Sequence, residues 1–211
     1  ADKMVSRISE LTQLEKLSLD NVPLGDQHLE RLLGSLSQLR VLEISGNWGE
    51  TNRTSRNVGQ ITDRGCEIIG RIRPELQHLI LSNQPRITSR GALQIVRACH
   101  DLRALLLTSC SVGQHDASEI VENSESLLVL GLGGRTVDWE SLRAAAKVSG
   151  GRTLFYLDLQ GLIEPTERLT AREKEIMKHS RKLVEEAGKL ANSPSCYNEY
   201  APLLGVDVTQ C

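Results

Sequence analysis

The residues best suited to proton chemistry in this 211-residue chain are His78 and Glu43. An imidazole beside a carboxylate works as a general acid–base pair when geometry and water exclusion allow it. Here both fall at outward positions of neighbouring short strands, on a face expected to be open, so no catalytic residues are expected and the chain reads as a non-enzyme. No Ser–His–Asp set converges. Gly131-Leu-Gly-Gly134 resembles a phosphate loop in its glycines but lacks the Lys-Ser/Thr that holds phosphate and magnesium. Its glycines read instead as a notch that admits a bulky partner side chain. The five cysteines are odd in number and show no Cys-x-x-Cys spacing, which reads as reduced thiols. Cys99 and Cys110 fall at fixed places in a repeat and read as small buried hydrophobes. The five histidines are scattered, so neither a metal site nor a cofactor is expected.

Arg53 and Arg56, with Asn57, lie in a polar stretch at 50–60. These arginines are candidate rim-loop contacts. Arg64, Arg71 and Arg73 follow, but no aromatic platform interleaves them, and the formal charge is -2. Nucleic acid is therefore disfavoured as a partner. No run of 18 apolar residues exists, so no membrane span is expected. A cytoplasmic or nuclear location is expected.

The elements that position these residues come from a repeat. Leu-x-x-Leu-x-Leu recurs at Leu14–Leu17–Leu19, Leu39–Leu42–Ile44, Leu76–Leu79–Leu81, Leu102–Leu105–Leu107, Leu127–Leu130–Leu132 and Leu154–Leu157–Leu159. The starts differ by 25, 37, 26, 25 and 27 residues, the longest interval holding an insertion. Each copy predicts a short strand with period-two alternation. Helical spacing follows, as in Leu29, Leu32, Leu33 and Leu36, or Ala92, Val96 and Cys99. A strand and a helix per unit imply a parallel α/β arrangement in which stacked units share one core.

Ile61-Thr-Asp-Arg-Gly-Cys66, Ile87-Thr-Ser-Arg-Gly-Ala92 and Cys99-His-Asp-Leu102-Arg-Ala-Leu105-Leu-Leu107-Thr-Ser-Cys110 carry a family likeness. The chain resembles the cysteine-containing leucine-rich repeats of F-box/LRR substrate receptors over roughly residues 11–162. The resemblance implies an α/β leucine-rich-repeat solenoid, a horseshoe with a concave parallel sheet and helices on the convex side. Thr62 and Thr88 are expected to cap the helices that follow, with Ile61 and Ile87 as staples.

The expected organisation is a repeat domain at 1–169 with six β-α units and an insertion at 50–60, a capping helix at 170–191 and an irregular tail at 192–211. Thr170-Ala-Arg-Glu173 reads as a capping box at the start of that helix. On the concave face, Val41, Ile80, Leu106, Val129 and Tyr156 form an apolar ridge framed by Lys16, Glu43, His78 and Asp158. A rimmed apolar patch suits another protein. The expected function is a protein–protein interaction module binding a partner there, as the recognition part of a ubiquitin-ligase-like adaptor or larger scaffold. The alternative is an enzyme regulator, such as a GTPase-activating protein, acting through the arginine-bearing insertion. Upstream repeats or a partner are expected to cover the N-terminal end.

Overall fold

The computed structural model describes residues 1–46, 60–113, 116–132, 156–157, 169–171, 173–175 and 177–178. Strands and helices alternate: α1 (Asp2–Ile8), β1 (Lys16–Asp20), α2 (Asp26–Ser35), β2 (Val41–Ser45), α3 (Asp63–Ile72), β3 (His78–Ser82), α4 (Ser89–Ala98), β4 (Ala104–Leu106), α5 (Asp116–Glu122), β5 (Val129–Gly131) and β6 (Tyr156–Leu157). The six strands form one sheet in chain order, and every pairing is parallel. The register runs Lys16, Val41, His78, Ala104, Val129, Tyr156 across the sheet. The sequence spacing is thus realised as strands without a register slip, even across the 37-residue interval.

One face of the sheet packs against the helices. Leu42, Ile44, Leu79, Leu81, Leu105, Leu107 and Leu130 point into a single core with Leu29, Leu32, Leu33, Ile69, Ile95, Val96 and Ile120. Consecutive helices lie side by side, α2 on α3 and α3 on α4. Neighbouring strands joined by right-handed crossovers in one direction place their helices in one layer.

The units are joined at the helix starts by a polar clamp. Asp26, the first residue of α2, accepts from the Thr62 N–H at 2.9 Å and the Thr62 hydroxyl at 2.8 Å. Asp63, the first residue of α3, accepts from the Thr88 N–H and hydroxyl, both at 2.7 Å. Each threonine in turn caps its own helix, accepting from Arg64 N–H at 3.1 Å or Arg90 N–H at 3.3 Å, as the motif predicts. Ile61 and Ile87 beside them are fully buried. The motif glycines make room for the clamp. A Cβ on Gly65 would lie 2.6 Å from an Asp26 oxygen, and one on Gly91 2.5 Å from an Asp63 oxygen. The glycine-for-close-approach reason is steric here, and any side chain would push the carboxylate off its threonine.

The expected leucine-rich-repeat horseshoe, with one face an open concave surface, is replaced by one continuous all-parallel sheet flanked by helices. The finding that overturns the open solenoid is burial on both faces: β3, β4 and β5 are buried at every residue. Ile80 is 1% exposed, Leu106 2% and Val129 1%, yet none of them belongs to the helix-side core. Sheets of this kind, parallel and closed on both sides, are α/β layers. The βα alternation is Rossmann-like, although the strands follow chain order and no reversal of order creates a switch-point crevice. At the N-terminal end α1 adds Val5, fully buried, to the core.

The 170–191 helix, the 192–211 tail and the 50–60 insertion fall largely outside the described residues. At the start of that helix, Thr170 N–H donates to Glu173 Oε2 at 2.7 Å and Glu173 N–H to Thr170 Oγ1 at 3.3 Å. These are the reciprocal bonds of a capping box. Met177 adds its side chain to the main core.

Candidate functional site

The face away from the helical core carries Lys16, Ser18 and Asp20 on β1, Val41, Glu43 and Ser45 on β2, and His78, Ile80 and Ser82 on β3. These residues alternate with the core leucines because successive strand side chains point to opposite faces. The register places Ser18 opposite Glu43, Glu43 opposite Ile80, and Ser45 between Asp20 and Ser82. Exposure falls steeply across the sheet. Ser18 and Asp20 are exposed and Lys16 half-buried, while Glu43 is only 3% exposed, His78 4%, Ser45 7% and Ser82 0%.

The Ser18 hydroxyl donates to Glu43 Oε2 at 2.9 Å, joining the exposed edge strand to the buried carboxylate. The Ser82 hydroxyl oxygen is fully buried and, among the described residues, has no hydrogen-bond partner. A buried polar group without a partner costs about 1 to 3 kcal/mol, so this atom stands out. Below it Gln84, itself buried, accepts from Ile61 N–H at 3.1 Å and donates to the Ser82 carbonyl at 3.4 Å. Burial, with Arg103 and then Lys16 nearby, lowers the His78 pKa to about 4. The imidazole is therefore neutral at neutral pH and serves as a hydrogen-bonding group, a weak base at best.

Left-handed turns follow three of the strands, with φ 55° at Asn21, 54° at Asn83 and 55° at Ser109. Asparagine tolerates this region better than most side chains. Asn21 N–H still donates to the Ser45 carbonyl at 3.0 Å and Asn83 N–H to the Thr108 carbonyl at 2.8 Å, so the turns begin at the carboxyl ends of β1 and β3, where Asp20 and Ser82 lie.

The structure brings together Lys16, Val41, Glu43, His78, Ile80, Leu106 and Val129, which were singled out from sequence. It does not present them as an exposed ridge, so the expected docking of a partner protein on an open concave face is corrected: among the described residues no such open face exists. Tyr156 is placed by its pairing with Val129. Asp158, Arg53 and Arg56 lie outside the described residues, and with them the arginine-loop regulator reading. Of the glycine notch only Gly131 is described, and its space is filled from within: a Cβ there would meet Leu106 Cδ2 at 2.7 Å.

The exclusion of enzymatic chemistry is corrected as well. It rested on the face being open, and Glu43 and His78 are enclosed instead. Parallel α/β sheets commonly carry nucleotide and cofactor sites, although fold class by itself assigns no reaction. One arrangement fails on geometry. His78 and Ser82 are four residues apart on one strand, about 13 Å, too far for a nucleophile–base bond.

Sequence reasoning missed Ser18, Ser45 and Ser82 as members of the site. Their signal was three hydroxyl residues in the same two rows as Asp20 and Glu43, an accumulation that apolar ranking overlooks. The cysteines behave as read: Cys99 and Cys110 are free and buried, and burial pushes both thiols up to about 12. Among the described residues no cluster of three or more His, Cys, Asp or Glu could hold a metal ion, and no helix is long and apolar enough to cross a membrane. No protein-family model and no curated protein matches the chain, so the family resemblance drawn from its motifs assigns no membership.

Proposed function

We propose that this chain is a ligand-binding α/β domain that takes a small polar molecule at the carboxyl ends of β1, β2 and β3. The site consists of Ser18, Asp20, Glu43, Ser45 and Ser82. The observation that carries this reading is the fully buried Ser82 hydroxyl, unpartnered among the described residues, on the same sheet face as the buried Glu43. A ligand donor would relieve the desolvation cost of that oxygen. Exposed Ser18 and Asp20 supply an entry side to buried Glu43 and Ser82. The apolar floor of Ile80 and Leu106 excludes water, which strengthens each polar contact made above it.

Saturation-transfer NMR on the full chain with a set of small polar compounds tests the reading. At least one compound is expected to show contact that disappears in the Glu43→Gln, Ser82→Ala double variant. Absence of any contact, or contact that survives in the variant, would remove the proposal.

A further inference from the structure

We infer that the stack opens at one seam, between α4 and α5, where the polar joint rests on a single neutral hydroxyl. The helix starts align residue by residue: Ile61-Thr62-Asp63-Arg64-Gly65, Ile87-Thr88-Ser89-Arg90-Gly91 and Val112-Gly113-Gln114-His115-Asp116. At the joints of α2 with α3 and of α3 with α4, a carboxylate on the upstream helix reaches forward to a threonine. A glycine in the downstream unit leaves room for it. At the next joint every one of these roles has changed. Ser89 stands where Asp26 and Asp63 stand, Gly113 replaces the threonine, and Asp116 replaces the glycine.

The bonds follow the residues. The Ser89 hydroxyl donates to the Asp116 carboxylate and accepts from the Gly113 N–H at 3.2 Å. The carboxylate has moved to the downstream helix, where it also accepts from the Gly113 N–H of its own unit at 2.9 Å. Among the described residues, both bonds that cross this joint at the helix starts therefore pass through one oxygen. A backbone N–H bonds a neutral hydroxyl less strongly than a carboxylate. Gly113 also brings no side chain to cap α5, whereas Thr62 and Thr88 cap α3 and α4.

The rest of the seam is lighter too. α5 has seven residues, against ten each in α3 and α4. β4 and β5 pair over three residues, as β3 and β4 do, against five for β1 with β2 and β2 with β3. Arg97 reaches Glu119 at 3.4 Å and Asn123 at 3.0 Å across the seam, but these are exposed contacts, and an exposed ion pair contributes little. By contrast, α3 and α4 approach so closely that a Cβ on Gly70 would lie 2.5 Å from the Ala98 Cβ. The stability of stacked units is a sum over neighbouring interfaces, and the stack yields first at the weakest one. α5 and β5 part from α4 and β4 together, while α2, α3 and α4 stay closed.

The test is native-state hydrogen exchange of the full chain, read at the amides of Ile69 in α3, Ile95 in α4, Val121 in α5 and Val129 in β5. The last of these donates to the Arg103 carbonyl at 2.9 Å, across the β4–β5 pair. Val121 and Val129 are expected to exchange at one shared rate, about tenfold or more faster than Ile69 and Ile95. A clear denaturant dependence is expected with it, which marks the opening of a unit and not fraying. Ser89→Ala is expected to speed Val121 and Val129 about tenfold and to leave Ile69 unchanged. Rebuilding the earlier joint with Ser89→Asp, Gly113→Thr and Asp116→Gly together is expected to slow both about tenfold. Should the triple variant not fold, Ser89→Ala decides alone. Equal rates at all four amides in the wild type, equal acceleration of all four in Ser89→Ala, or no acceleration there overturns the inference. A folded triple variant that exchanges as fast as the wild type overturns it too, as does exchange of Val121 without denaturant dependence.

Discussion

The two faces of the sheet are built on opposite rules. The helix-facing side repeats itself: Leu42 and Ile44 on β2 answer Leu79 and Leu81 on β3, and Leu105 on β4 with Leu107 just beyond it, all fully buried in one core. The other side changes residue type from strand to strand at most positions. Reading across one row gives Ser18, Glu43, Ile80, Leu106 and Gly131. A repeated face specifies how units stack, because every copy must meet the same neighbour. An unrepeated face is free of that demand, and its differences are where selectivity can reside. Both are buried in the middle of the sheet, so burial alone does not tell scaffold from site. The distinguishing mark is mixed polarity: the repeated side holds apolar groups that satisfy one another, and the other side sets buried Glu43, Ser45, His78 and Ser82 among Ile80, Leu106 and Val129.

The comparison can be broken most directly by truncation on each side of one strand. Leu79→Ala is expected to cost about 3 to 4 kcal/mol in denaturant unfolding, and Ile80→Ala about 2 to 3 kcal/mol. A cost below about 0.5 kcal/mol for Ile80→Ala would show that the second face is open after all and restore a surface there.

A pH titration of stability sharpens the same contrast. The His78 pKa is lowered from 6.5 to about 4. Between those values the unfolded chain binds the proton that the folded chain refuses, so stability is fully present above about pH 6.5 and declines as pH falls toward 4. The loss is about 3 kcal/mol at most. His78→Phe should flatten this part of the curve, and an unchanged slope would show that the imidazole is not enclosed.

The smallest effect concerns the clamps between units. Asp63→Ala removes two acceptor contacts to Thr88 at a partly exposed site, with an expected cost of about 1 to 2 kcal/mol. Equal stability of wild type and variant by chemical denaturation would make the clamp incidental.

The strands, helices and register were legible because leucine spacing carries them: a period of two within a strand and an i, i+3, i+4 face within a helix leave few alternatives. The caps at Thr62 and Thr88 were legible for the same local reason. Legibility ended where the outcome depended on what covers a surface. Val41, Ile80 and Leu106 have outward strand positions whether that side is open or closed, and alternation contains no information about the layer beyond. Reading them as an exposed ridge therefore misjudged the burial of Glu43 and His78, and the expectation of a non-enzyme followed from the same misjudgement. The clamp was half-visible. The threonines announced their caps, but their bonds to Asp26 and Asp63 join residues 36 and 25 positions apart, which no local pattern reports.

Those two separations carry a practical consequence. The same carboxylate–threonine joint closes over spans that differ by eleven residues, and the strands on either side keep their alignment. Length between Ser45 and Gln60 is thus decoupled from assembly. A reporter sequence spliced into that interval should leave neighbouring units in step, making it the natural place to attach a label without disturbing the rest of the molecule.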